Sequence, residues 1–187
     1  MKIIYLPSKI LKPSIFLDRD GVINKDVEGK YITSIKDVKI YKSAIEGLKK
    51  INLDKYHLII ITNQSAINRG LIDLKQFKKI SDYIIEELNK HNIKINAVYF
   101  CPHRPEENCK CRKPKTGLIE EAILDYKIDI KKSFFVGDKK TDIDTAKSAG
   151  IKSIFVGTGQ AKNQRLKYKK IEADITIKDL RELKKYV

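Results

Sequence analysis

The chain's 187 residues are enough to bury a full core, and a 42% hydrophobic content excludes a disordered or fibrous protein. No apolar run approaches a membrane span, and the N-terminus MKIIYLPSKILKPS lacks the apolar core and cleavage site of a secretory signal; a cytoplasmic protein with no membrane partner is expected. The net charge of +15 suggests nucleic acid, but the lysines are spread evenly with few aromatics among them, so a solvated basic surface is expected instead.

Ile15, Phe16 and Leu17 form an apolar run that predicts a buried strand. Asp18 and Asp20 follow, two apart, and then Gly21. Alternation along an extended chain points both carboxylates the same way, and Gly21 permits a turn that leaves them at the strand's mouth. Ligands bind at that mouth in open α/β sheets. Paired carboxylates repel unless a cation sits beside them, and Mg2+ favours carboxylate and phosphate oxygens. The pair therefore points to Mg2+-assisted chemistry on a phosphate; the alternative is a solvated acidic turn.

Residues 25–42 read as a polar loop able to overhang the mouth. Ser43 with Glu46 reads as a capping box, opening a helix with Ala44, Ile45, Leu48 and Ile51 on its apolar face. Residues 58–61 predict a second buried strand, ending in Thr62 and Asn63 and parallel to the first. Asp73, with Gln76 in capping-box position, opens a longer helix whose Leu74, Phe77, Ile80, Ile84 and Leu88 recur every three or four residues. A third strand is expected at 97–100, followed by the irregular stretch CPHRPEENCKCRKPKTG. Residues 118–127 read as a helix with Leu118, Ala122, Ile123 and Tyr126 on one side. Residues 134–136 predict a fourth strand, ending in Gly137 and Asp138. Thr141 reads as the cap of a short helix that stops at Gly150. A fifth strand at 154–156 closes in GTGQ, and Ile175–Ile177 read as a sixth, edge strand before a C-terminal helix. This alternation predicts a doubly wound parallel α/β sheet covered on both faces, in one domain over 1–187.

All three cysteines fall between 101 and 111 and, with His103, give Cys101-x-His103 and Cys109-x-Cys111. Three thiolates and an imidazole suit tetrahedral, structural Zn2+; four protein ligands leave no catalytic position open. An odd count in a reducing compartment argues against disulfides. Such a zinc-binding loop would hold its neighbours Arg112 and Lys113 rigidly, and phosphoryl transfer needs cations aimed at the phosphoryl oxygens. Asp138, like Asp18, ends an apolar strand and can supply a second carboxylate to Mg2+. Lys139 is adjacent, and Asp142 can orient a metal-bound water or a lysine.

Taken together, Asp18-Arg19-Asp20-Gly21, the strand-ending Thr62, Lys113, and Gly137-Asp138 with Asp142 resemble the four motifs of the haloacid dehalogenase-like phosphatases. The likeness spans roughly Phe16 to Gly159. Within that family, LDRDGVIN, TNQS with Arg69-Gly70 downstream, CPH, CxCRKP and VGDK are similar to the heptose 1,7-bisphosphate phosphatase subfamily. The short zinc loop is also similar to that of the histidinol-phosphate phosphatases. Ala66 after TNQS and Gly157 before the late TG depart from the heptose pattern.

The resemblance implies that Asp18 is a nucleophile forming an aspartyl-phosphate, that Asp20 is the general acid and base, and that Thr62 and Lys113 steady the phosphoryl oxygens. It implies catalytic Mg2+ held by Asp18, the Asp20 main-chain carbonyl and Asp138. Asn63, Gln64, Ser65, Arg112 and Lys139 would contact the rest of a small phosphorylated sugar. The 44 positions from Asp18 to Thr62 and the 51 from there to Lys113 leave no room for an inserted cap. A capless, open site on a monomer is expected, with heptose bisphosphate as substrate, histidinol phosphate as the alternative, and a zinc-knuckle nucleic-acid module as a remote third.

Overall fold

The computed structural model describes every residue except 27 and 28, so part of the expected 25–42 loop lies outside the described residues. The chain runs β1 (Lys2–Ile4), β2 (Ser14–Leu17), α1 (Lys42–Leu48), β3 (His57–Asn63), α2 (Leu74–Asn89) and β4 (Ala97–Cys101). It continues with α3 (Gly117–Asp125), β5 (Phe134–Gly137), α4 (Lys140–Ser148), β6 (Lys152–Val156), α5 (Ala161–Lys167) and β7 (Ile175–Ile177). The strands form one seven-stranded sheet in the order β1-β4-β3-β2-β5-β6-β7.

Strand β2 lies at the centre of this order, and its four residues are all buried. It pairs in parallel with β3 and with β5, Phe16 standing opposite Ile59 and Phe135. Its side chains alternate between the two faces of the sheet. Ile15 and Leu17 join Ala44 and Leu48 of α1 and Phe77, Ile80 and Ile84 of α2 in one apolar cluster. Phe16 joins Leu118, Ile119 and Ala122 of α3 and Ala146 of α4 in another. Both faces are therefore covered, as a run of consecutive apolar residues requires. Burying each such side chain contributes about 1.5–3 kcal/mol. The expected doubly wound arrangement stands, and among the described residues no helix is long and apolar enough to cross a membrane.

Several local expectations shift. A seventh strand, β1, pairs antiparallel with β4, so the sheet is mixed at that edge. Helix α1 begins one residue before Ser43: Tyr41 is its N-cap, no side chain caps it, and the Ser43 box does not form. Asp73 caps α2 as expected, accepting from Gln76 N at 2.6 Å. On α3 the buried residue beside Ala122 is Ile119, while Ile123 is 39% exposed. Helix α4 is capped from within, Lys139 N–H donating to Asp142 Oδ2 at 3.0 Å, with Thr141 inside the first turn. The C-terminal helix is a 3-10 helix, Leu180–Lys185.

Candidate active site

Three neighbouring elements deliver three carboxylates to one point. Asp18 follows β2, Asp138 follows β5, and Asp142 lies in the first turn of α4. All three are buried, and one oxygen of each lies within 4.8 Å of the others. Such a cluster repels itself unless cations enter it. Lys113 is one: its Nζ lies 2.8 Å from Asp18 Oδ1 and 2.7 Å from Asp142 Oδ1, and donates to Ile61 O at 2.9 Å. Burial alone would lower the Lys113 pKa, but the charges of Asp142 and Asp18 outweigh it and raise it. The Lys113 main chain is held as firmly. Asn63 Oδ1 accepts from Lys113 N at 3.1 Å, Asn63 Nδ2 donates to Lys113 O at 3.2 Å, and the Lys113–Pro114 bond is cis.

Asp138 is less well compensated. Burial, with the charges of Asp18 and Asp142, drives its carboxyl well above the ordinary carboxylate range, and Lys139 only partly opposes this. Its Oδ2 accepts from Gln160 N at 2.6 Å, while its buried Oδ1 has no partner among the described residues. Gly21, at φ +98°, packs directly on this carboxylate: a Cβ there would lie 2.2 Å from Asp138 Oδ2. An orphaned buried carboxylate oxygen next to another carboxylate fits a divalent cation with oxygen ligands.

Asp20 is not part of that cluster. Arg19 reaches it with Nε to Oδ1 at 3.0 Å and Nη2 to Oδ2 at 2.8 Å. Asn24 Nδ2 donates to Oδ1 and Gln64 Nε2 to Oδ2, each at 2.8 Å. Burial favours the neutral acid, but the Arg19 charge and these donors together hold the Asp20 pKa below the ordinary value. Gln64 Nε2 also donates to Thr62 Oγ1 at 2.8 Å, which links the end of β3 to Asp20.

Beyond β4, the two expected ligand pairs meet. His103 Nδ1 lies 3.5 Å from Cys101 Sγ and 3.3 Å from Cys111 Sγ. Cys109 Sγ lies 3.5 Å from Cys101 Sγ and 3.4 Å from Cys111 Sγ. Three cysteine sulfurs and an imidazole nitrogen on so small a polyhedron fit a tetrahedral Zn2+. Arg112 donates from Nη1 to His103 O at 3.1 Å, which ties this loop to the residue before Lys113.

The sequence-derived site residues thus separate by task. Asp18, Asp138 and Lys113 converge at one point, and Asp142 holds the lysine. Asn63 and Gln64 spend their amides on Lys113, Asp20 and Thr62. Ser65 is buried in the turn after β3. Lys139 is raised in pKa: burial opposes its charge, but Asp18, Asp138 and Asp26 prevail, and its Nζ pairs with Asp26 Oδ2 at 2.8 Å. Sequence reasoning missed Arg19, Asn24 and the turn bearing Gln160. An arginine between two aspartates was the available signal for the first.

A model described as HAD-hydrolase-like matches residues 110–183. A probable D-glycero-D-manno-heptose-1,7-bisphosphate 7-phosphatase of Thermoplasma volcanium is 46% identical over 126 residues, 67% of this chain and 85% of that one. A D-glycero-alpha-D-manno-heptose-1,7-bisphosphate 7-phosphatase of Photorhabdus laumondii is 43% identical over 148 residues, 75% of this chain and 80% of that one. Among solved structures, a D,D-heptose 1,7-bisphosphate phosphatase from B. bronchiseptica, complexed with magnesium and phosphate, aligns with a TM-score of 0.85 at 27% identity. The match covers 92% of this chain and 96% of that one.

Proposed function

The chain belongs to the D-glycero-D-manno-heptose-1,7-bisphosphate 7-phosphatase family of haloacid dehalogenase-like hydrolases, and from that premise we propose that it removes the C7 phosphate of a heptose bisphosphate. The observation that carries the reading is Lys113 Nζ standing between Asp18 and Asp142, at 2.8 and 2.7 Å, in the same carboxylate cluster as Asp138, whose Oδ1 has no partner among the described residues. A nucleophilic carboxylate and a phosphate dianion repel, and this arrangement supplies the opposing charge at the point of attack.

Asp18 attacks phosphorus, giving an aspartyl-phosphate and freeing the sugar oxygen. Asp20 donates a proton to that oxygen and then takes one from the water that cleaves the acyl phosphate. Its resting carboxylate suits the second half-reaction; a bound phosphate dianion, by its charge, favours the protonated form needed in the first. Lys113 and Thr62 hold phosphoryl oxygens, and Asp142 and Asn63 hold Lys113. Mg2+ bound by Asp18, the Asp20 carbonyl and Asp138 would supply further positive charge to the phosphoryl group. Zn2+ in the Cys101–His103–Cys109–Cys111 cluster would fix the loop that presents Arg112 and Lys113. The site is read as capless and walled by loops, with Arg112, Ser65 and Lys139 nearest the rest of the sugar.

Asp18→Asn tests the assignment. The variant should fold as the wild type does yet release no phosphate from heptose bisphosphate with Mg2+, with histidinol phosphate as the comparison substrate. Turnover near the wild-type rate in that variant would remove Asp18 from its role.

A further inference from the structure

The turn Thr158-Gly159-Gln160, between β6 and α5, has no part in the chemistry above, yet it touches the site at Asp138 and Gly21 and the N-cap residue of α1 at a third point. Gln160 N–H donates to Asp138 Oδ2 at 2.6 Å, across 22 residues of chain. Thr158 Oγ1 donates to the carbonyl of Gly21 at 2.6 Å. Gly159 N–H donates to the Tyr41 phenol oxygen at 3.3 Å. Gly159 itself adopts φ +57°, and a Cβ there would lie 2.2 Å from Asp138 Oδ2 and 2.4 Å from Gly21 Cα. The Asp138 carboxylate is therefore gripped between two bare stretches of backbone, with Oδ2 engaged and Oδ1 left as its free acceptor. Gly157 N–H donates to Ile177 O at 2.9 Å, so the turn is in turn anchored to β7.

We propose that Thr158, Gly159 and the Gln160 main chain form a positioning turn that orients Asp138 for a divalent cation and thereby sets the affinity for Mg2+. The inference rests on the metal-dependent reading given above and adds residues to it. Partners that orient a ligand matter because a carboxylate free to rotate must be ordered again each time the metal binds. Thr158 supplies the lateral pin: its hydroxyl fixes the Gly21 turn against the Gly159 turn, so the two walls of the cradle keep their spacing.

The test is calorimetric titration of Mg2+ into the ligand-free full chain, with thermal melts of the same metal-free samples. Thr158→Val should weaken Mg2+ binding by about ten-fold, and Gly159→Ala by more. Thr158→Ser, which keeps the hydroxyl, should stay within about two-fold of wild type. A merely structural turn would lower the melting temperature and leave the Mg2+ affinity unchanged. Wild-type affinity in Thr158→Val therefore overturns the proposal, whatever its melting temperature. If Gly159→Ala does not fold, the Thr158 pair still decides the matter. Wild-type protein with no saturable Mg2+ binding overturns the metal-dependent reading itself, and this proposal with it.

Discussion

Replacing Lys113 by Met keeps an apolar stem of similar length and deletes the ammonium that contacts both Asp18 and Asp142. Lys113 is 4% exposed, so water cannot replace it. Removing one partner from a buried ion pair commonly costs about 3–5 kcal/mol. Here a carboxylate can take up a proton in compensation, which places the loss near the lower end, about 3 kcal/mol at neutral pH. For a chain of this size that corresponds to a fall of about 6–12 °C in melting temperature. In the variant the Asp142 carboxyl, which burial already holds above its ordinary value, loses the Lys113 charge that opposes the rise. It binds its proton more tightly when folded, so the deficit should shrink at low pH and grow as pH rises through the folded value. Turnover should fall by about 10²–10³, the usual penalty for deleting a preorganised electrostatic contact. Thermal melts across pH and a phosphate-release assay at saturating Mg2+ read both quantities. A variant that keeps more than about a tenth of wild-type turnover would refute the role given to Lys113.

The wild-type cluster makes a related prediction. Asp138 and Asp142 both have raised pKa values, with burial the first cause in each, so their contribution to ligand-free stability is present at low pH and is lost as pH rises through the folded values. Mg2+ requires Asp138 ionised, so the rise in melting temperature on adding Mg2+ should be larger near about pH 8 than near about pH 5; a rise independent of pH would count against Asp138 as a ligand. For the sulfur cluster, metal analysis should find one zinc per chain. Cys109→Ser should lose that zinc, melt earlier and turn over more slowly, because Lys113 lies two residues beyond Cys111. Zinc-free protein with wild-type melting and turnover would remove the structural role.

Much of the scaffold was legible because its strands are uninterrupted apolar runs ending in chemistry-bearing residues. Phe16-Leu17-Asp18 and Val136-Gly137-Asp138 announce both the strand and the side of the sheet where its acid stands. The cysteine spacing was legible for the same reason: the ligands are local. What escaped was either too short or too distant. Strand β1 has three residues with an exposed–intermediate–exposed pattern, so it lacks the buried run that marked the other strands. The Ser43 box failed because the helix begins earlier, with Tyr41 as its cap, and Thr141 failed because α4 also begins earlier, with Lys139 at the cap and the Asp142 carboxylate accepting from its N–H. The clamp on Asp20 joins Gln64 across 44 residues, and the grip on Asp138 comes from Gln160 across 22. Contacts of that span leave no periodicity to read.

The strand order has a consequence for how such a protein can change. Asp18, Thr62 and Asp138 stand at the ends of β2, β3 and β5, three adjacent strands in the middle of the sheet. The outer strands and the loops after them carry none of these three. Lys113, by contrast, arrives at the same point from the long loop after β4, two strands away from β2. On the proposed reading, alterations in that loop would reach the chemistry as directly as alterations in the innermost ribbons. Ser65 and Lys139, read above as nearest the sugar, follow β3 and β5, so on the same reading preference and reactivity share one neighbourhood.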